Sequence, residues 1–583
     1  MTDTAVRVAP GHPPGLAGLV LGQVGYATKE FRRTPIAAFF TLVFPLSFLV
    51  ILSALYGNEV IDEETGLRLA QYTTPVFAVF GTCMASYMAL AIAVAYARAS
   101  GVLKRLRGTP LPVPAHIAGR IGASVLISGL AVAIMVAVGV AFYGVQIIGA
   151  NVPALLLTFL FGTACFSALG LAVASVSPTP SAANAFSNAS LILLSFISGI
   201  FGFGNLPEWM DRLAAVFPLK HFVDAFAAGF NPYEDASSPD WPALAAMLLW
   251  GIVGALIVWR AFGWEPRSGR VILRRRRGAA PIEETAEAEK ELTVEGLAAR
   301  RAGVPTPPTA PAGAAVVARE VSTPGRPAAA RVVGGQTRYA ALQMVRDVQA
   351  LFFAVIFPVL LVTFFSSIYG DEAQWGGLPL AQYLAAAFAV YGVATAGLVN
   401  IPGSIADQRA QRILKRLRGT PVPPWAYITG RISAAVLVGL LTVVLVFTVA
   451  VAFLSVSLPP ATWPATLLTF LLSACCFAAC GLLIVAVVDS PQAVIAVSLS
   501  TLLPLSFISD IFISIDEMPP VLNAIGWAFP LRHSVHAAVT ATSGGALDAA
   551  FWGHVGVLVA WALGAALVAW RFFAWEPRRA RNA

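Results

Sequence analysis

The chain has 583 residues, 58% of them hydrophobic and only 12% charged, with a mean hydropathy of +0.76 and a formal net charge of +8. Soluble domains run nearer about 45–50% apolar and about 25% charged, so a water-facing assembly of this length would lack the polar surface to cover itself. Those values exclude an ordinary soluble enzyme and point to an integral membrane protein.

In chain order, the opening MTDTAVRVAPGHPPG is polar and lacks the pattern of a cleavable signal peptide. Apolar runs of about 20 residues, enough to cross a bilayer, follow near Pro35–Leu55, Thr73–Tyr96, Ile117–Tyr143, Val152–Val176, Ala185–Phe203 and Trp241–Phe262. Next come RRRR, the acidic EETAEAEKE and the Pro/Ala-rich GVPTPPTAPAGAA. Such a stretch cannot bury enough apolar surface to offset its ordering entropy, so a disordered cytoplasmic linker is expected. Its arginine run serves either as a topology signal or as a contact for anionic lipid heads. Six further runs lie near Val348–Ile368, Ala381–Ile401, Ile428–Phe453, Ala461–Val488, Ala493–Ile513 and Phe551–Phe573. The expected fold is an all-α integral membrane protein with about twelve transmembrane helices.

The second set of runs repeats the first. LKRLRGTP begins at Leu103 and again at Leu414, an offset of 311 residues. The same offset relates QYTTPVFAVFG to QYLAAAFAVYG, SFISGIF to SFISDIF, and GWEPR to AWEPR. VFPLKH and AFPLRH lie 312 apart, and VFPLSF and IFPVLL 313, the drift that small loop insertions produce. Two copies of one module in the same order therefore make up the chain. The organisation expected is 1–35, an N-terminal segment; 36–263, the first six-span unit; 264–335, the linker; and 336–583, the second unit.

Charge sets the orientation. Arg98, Lys104, Arg105, Arg107 and Arg120 lie between the second and third runs without an acid. Arg409, Arg412, Lys415, Arg416, Arg418 and Arg431 face only Asp407 in the second copy, whereas the first loop holds Glu59, Asp62, Glu63 and Glu64 against Arg68. The positive-inside rule then places both termini and both LKRLRGTP loops in the cytoplasm, with the two six-helix units as parallel repeats.

Several chemistries find no support. Cys83, Cys165, Cys475, Cys476 and Cys480 fall inside the runs with no accompanying histidine or acid, which suits apolar packing better than a metal site. The chain has no phosphate-binding G-x-x-x-x-G-K-[ST], no G-x-S-x-G and no H-E-x-x-H. Ionisable residues deep in the runs are scarce; Asp510, opposite Gly199 of the first copy, reads as a helix-end acid in water or as a pathway group. The stretches 205–240 and 516–547 read as re-entrant or surface helices at the outer end, where Lys220-His221 and Arg532-His533 could meet substrate or headgroups.

LKRLRGTPLPVPAHIAGRI and LKRLRGTPVPPWAYITGRI share more than a topology signal needs. A short amphipathic stretch followed by glycine and proline makes a rigid surface helix with a sharp turn into the next span. Leu103, Lys104, Arg105, Leu106 and Arg107, and Leu414, Lys415, Arg416, Leu417 and Arg418, thus form two matched docking elements for a cytoplasmic partner.

The six-span order, the basic L-x-R-L-x-x-T-P loop and the late SFIS…FPL signature in both copies resemble the permease subunit of type-2 ATP-binding-cassette exporters. The resemblance covers nearly all of both halves. It implies that one fused chain supplies both permease units, and that two separate cytoplasmic ATPase subunits bind the ATP and Mg. This chain itself would be non-catalytic and hold no cofactor. Its other expected partners are membrane lipid and a small amphipathic substrate such as a drug, antibiotic or lipid, with no nucleic acid; its location is a bacterial plasma membrane. GQVGYATKEFRR and GQTRYAALQMVR resemble the family's interfacial helices, with Tyr26, Arg33, Tyr339 and Arg346 as headgroup anchors. Tyr87, Asn188, Ser190, Asn400, Thr501 and Asp510 become candidates to line the pathway, interhelical hydrogen bonding being the plainer role. The first copy lacks the family's usual acid before the loop, so Asp407 and Gln408 are expected to make the second loop the stronger docking site. An ion-coupled secondary transporter and a non-transporting scaffold are the alternatives.

Overall fold

Proline in the first turn starts many of the helices of the computed structural model. It describes residues 15–55, 60–62, 66–201, 207–233, 236–265, 329–369, 374–375, 377–420, 422–512 and 518–575. In the first half, α1 (Leu16–Arg32) leads into α2 (35–55), the short hairpin β1 (Val60–Asp62) with β2 (Leu67–Arg68), and α3 (Leu69–Ala99). Then come α4 (Val102–Arg107), α5 (Val113–Tyr143), α6 (Val152–Val176), α7 (Pro180–Ile197), α8 (Glu208–Ala214), α9 (Pro218–Ala228) and α10 (Trp241–Ala261). The second half repeats this order. It runs through α11 (Ala329–Arg346), α12 (Val348–Tyr369), the hairpin β3 (Gln374–Trp375) with β4 (Leu378–Pro379), and α13 (Leu380–Ala410). It ends with α14 (Ile413–Arg418), α15 (Pro424–Phe453), α16 (Trp463–Val487), α17 (Pro491–Ile508), α18 (Pro520–Ala528), α19 (Pro530–Ser543) and α20 (Ala549–Phe572).

Among the described residues nine helices are long and apolar enough to cross a membrane. The other three expected spans are α2, α7 and α17. The two fifth spans start earlier and stop sooner than the hydropathy indicated. Thr179 and its counterpart Ser490 each cap a first turn through a hydroxyl that accepts from the amide three residues on, at 3.1 Å. Gly199 (φ 78°) and Asp510 (φ 59°) then break the helices in left-handed backbone conformations. The second spans run longer than expected, to 31 residues each. Most of the linker, 266–328, lies outside the described residues, although α11 begins six residues before the expected boundary at 335.

Proline also shapes the helices internally. Pro45 and Pro358 lack the N–H that would bond Thr41 and Ala354, and each follows a π-helical turn, Phe39–Val43 or Phe352–Ile356. The freed Ala354 carbonyl accepts the Thr442 hydroxyl of α15 at 2.8 Å. Matching π turns interrupt α3 at Met84–Ala89 and α13 at Ala396–Asn400.

The two halves belong to one compact unit and interlock through their fifth spans. Phe196 and Ile197 of α7 sit in the apolar core of the second half, and Phe507 of α17 sits in that of the first. α9 and α19 are not surface helices: Leu219, Phe222, Leu531 and Val535 are buried against the spans. Lys220 pairs with Asp211 at 2.8 Å and Asp224 at 3.1 Å instead of standing free for headgroups.

Candidate functional site

A cavity of about 660 Å³ lies between the halves and takes its walls from both. Toward α1 and α11 its lining is polar, with Glu30, Arg120, Asn184, Asn188, Asp347, Gln349, Asn400 and Asp407. At this end Tyr96 is 59% exposed. Two amides join the halves across it: Asn184 Nδ2 donates to Gln349 Oε1 at 2.6 Å. The π turns of all four interrupted helices contribute to the wall, through Phe40, Met88, Phe353 and Asn400 among others.

The opposite end is closed by rings. Phe196 packs edge-on against Phe364 at 4.8 Å and on Phe357 at 6.0 Å, crossing into the second half. Its counterpart Phe507 crosses the other way to Phe48, at 4.8 Å. Behind them Phe201 packs tilted or edge-on against Phe48 and Phe80, each at 5.2 Å, and Phe512 edge-on against Phe388 and Tyr391, each at 5.7 Å. The closure therefore repeats about the axis that relates the halves, with each fifth span and the turn after it supplying the rings.

Each basic loop is a six-residue helix, α4 or α14. Leu103 and Leu414 are fully buried and seat the helices, while Lys104, Arg105 and Arg107, with Lys415, Arg416 and Arg418, are exposed; Leu106 and Leu417 are half-buried. Gly101 starts the first helix at φ 74°; Arg412 holds the same left-handed conformation at φ 58° in the second. Behind these helices, Arg98 and Arg409 are buried, not loop cations in water. Arg409 donates to the carbonyls of Val485 at 2.9 Å, Val488 at 2.5 Å and Asp489 at 3.1 Å, where α16 ends. Arg98 bonds Ser175 and Ser177 at the end of α6 in the same way. A cation at a helix C-terminus completes orphan carbonyls and meets the negative end of the dipole. It also ties the second span, the basic helix and the fourth span together.

α1 and α11 dock on the third spans because glycine lets backbone approach backbone. A Cβ at Gly119 would stand 2.3 Å from Gln23 Cβ, and one at Gly430 would stand 2.5 Å from Gln336 Cβ. Arg120 then reaches Glu30 at 2.8 Å. In the second half Gln343 replaces that glutamate and accepts from Arg431 at 3.1 Å and Gln408 at 2.8 Å. Tyr26, Arg33, Tyr339 and Arg346 are exposed on or beside these helices.

The pathway candidates separate. Asn188 and Asn400 line the cavity. Tyr87 and Ser190 bond each other at 2.7 Å off the lining, and Thr501 donates to Val497 of its own helix at 2.8 Å. Asp510 is neither in water nor on the cavity wall: it is 2% exposed, paired with Arg532 at 2.8 Å and His536 at 2.9 Å. Asp407 and Gln408, expected to strengthen the second docking loop, have different surroundings. Gln408 is buried and bonded to Gln343 and Tyr427, and Asp407 is on the cavity wall. Sequence reasoning missed Glu30, Asn184, Asp347 and Gln349, which come from three separate stretches of the chain, and misplaced Arg98 and Arg409 among the surface cations.

Comparison with known proteins agrees with the duplicated architecture. The family model described as ABC-2 type transporter matches twice, over residues 24–231 and 336–542. The inner membrane transport permease YadH of Escherichia coli K12 is 24% identical over 183 residues, 30% of this chain and 71% of that protein. The proteins of the same name in Escherichia coli O157:H7 and Shigella flexneri match to the same extent. The chain belongs to the ABC-2 type transporter family and carries the membrane unit of that family twice.

Proposed function

We propose that this chain is the complete membrane part of an exporter, assembled with two cytoplasmic ABC ATPase subunits that bind and hydrolyse the ATP. The observation that carries the reading is the cavity: both halves of one chain wall it, one end is polar, and rings close the other. The end bearing α1, α4, α11 and α14 faces the cytoplasm, as the basic residues require. ATP-driven closure of the motor pushes on α4 and α14; Arg98 and Arg409 pass the movement to the ends of α6 and α16. The second and fifth spans then part the Phe196 and Phe507 contacts and release an amphipathic compound outward. With no phosphate-binding loop in its sequence, the chain alone hydrolyses no ATP.

Copurification with a cytoplasmic ABC ATPase subunit tests this reading. Native mass measurement should give one permease chain to two ATPase subunits, and two permease chains would refute it. Replacing Arg105 and Arg107, or Arg416 and Arg418, by glutamate should weaken ATPase association and steepen its salt dependence. Wild-type association and export in correctly inserted variants would leave the repeated octapeptide a topology signal.

A further inference from the structure

We propose that the cavity selects organic cations, an amphipathic molecule with its positive group held at the polar end. This rests on the reading of the cavity as the cargo chamber. The basis is a break in symmetry between two otherwise matched walls. Four lining positions form two equivalent pairs: Thr34 and Tyr96 in the first half, Asp347 and Asp407 in the second. One wall is thus neutral and aromatic where the other carries two carboxylates.

The remaining charges do not cancel them. Among the described lining residues the other ionisable pair is Glu30 with Arg120, committed to each other at 2.8 Å. Arg431, the counterpart of Arg120, is off the lining and bonds Gln343 and Ser404. The lining therefore carries a net negative charge from Asp347 and Asp407. Asp347 is oriented by accepting the amides of Gln349 and Ala350 at 3.1 and 3.2 Å. Asp407 has no ion pair among the described residues, and its charge acts on the Tyr96 phenol across the mouth.

A ring face beside carboxylates at the entrance of a low-dielectric chamber favours an organic cation over an anion of the same shape. The carboxylates raise the local concentration of cations, and the ring adds a cation–π contact. Further in, Met84, Met88 and the phenylalanines offer polarizable surface to a hydrocarbon body. An anionic lipid or a free acid would meet the same field as repulsion.

Tetraphenylphosphonium and tetraphenylborate, alike in shape and opposite in charge, test this on the purified full-length chain. Specific binding is the part removed by Ala93→Trp, which fills the lining one helical turn from Tyr96. The cation should bind at least about tenfold more tightly, a ratio that two nearby charges in a partly screened site readily supply. Asp347→Asn with Asp407→Asn should bring the ratio close to one while leaving the shared, shape-driven binding in place. Asp407→Glu, which keeps the charge, should keep the preference. Equal specific binding of both ions by the natural chain, or a preference that survives the double variant, overturns the proposal while leaving the chamber intact. Failure of Ala93→Trp to remove any binding, or no binding of either ion, overturns the chamber reading and this proposal with it.

Discussion

The Asp510 carboxylate accepts a hydrogen bond from Arg532 Nε at 2.8 Å, in a place where the first half of the molecule has no side chain at all. The equivalent residue is Gly199, and both adopt a left-handed backbone, φ 59° for Asp510 and φ 78° for Gly199. Glycine takes that conformation freely; aspartate is among the few others that do so at modest cost. The second half thus locks with charge a turn that the first forms from backbone alone. His536 bonds the same carboxylate oxygen at 2.9 Å, Tyr383 bonds the Asp510 carbonyl at 2.7 Å, and Arg532 lies 4.5 Å from the centre of the Trp527 ring. Two residues further on, Phe512 joins the aromatic closure.

Asp510→Ala leaves the buried Arg532 charge without its carboxylate. The expected loss is about 3–5 kcal/mol, the range for removing one partner of a buried ion pair. Asp510→Gly combined with Arg532→Met removes both charges and relaxes the backbone, and should lose far less. Thermal unfolding of the purified chain compares them; an unchanged midpoint in Asp510→Ala would show that the pair holds nothing.

Acid should loosen the same region. Burial, with smaller contributions from the nearby His536 and Arg532 charges, holds the His533 pKa below its ordinary value, despite the opposing bond to the Trp527 carbonyl. The unfolded chain then binds a proton that the folded chain resists, so this contribution to stability is lost as pH falls below about 6.5. No effect from this group is expected above neutrality. His533→Gln should flatten the dependence between about pH 6.5 and 5, and an unaltered slope in that variant would contradict the assignment.

Arg409→Lys keeps the charge but cannot span three carbonyls, because an ammonium lacks the planar fork of guanidinium. A cost of about 2 kcal/mol is expected from charge-assisted bonds lost at the end of α16. If the clamp transmits motion, ATPase binding should survive while ATP-driven export falls. Export in proportion to bound ATPase would argue that Arg409 only stabilises the fold.

Gly119→Val places side-chain atoms where Gln23 and the Val20 carbonyl already stand. Displacing α1 should cost about 1–3 kcal/mol, as overpacking does, and open the Arg120–Glu30 pair. Tryptic cleavage at Lys29 should accelerate several-fold. Gly122→Ala is the control, since its nearest neighbour is the end of a Val24 side chain, which can turn aside.

Length, hydropathy and repetition are properties of contiguous residues, and so the sequence by itself determined the membrane-embedded character, the duplication and the two short basic helices. Leu103 and Leu414 were legible as seats because an amphipathic stretch must turn one side inward. The ends of the fifth spans were not, since polar caps and left-handed turns override hydropathy there. Only the tertiary structure decided which charges meet. Arg98 and Ser177 are 79 positions apart, Arg120 and Glu30 are 90, and Asn184 and Gln349 are 165. No local pattern encodes such pairs; they exist because close helix packing strips water from polar groups and leaves each to find the partner that the fold brings within reach. The same cause moved Asp510 from an expected place in water to a buried ion pair, and put Asp407 on the wall of the cavity.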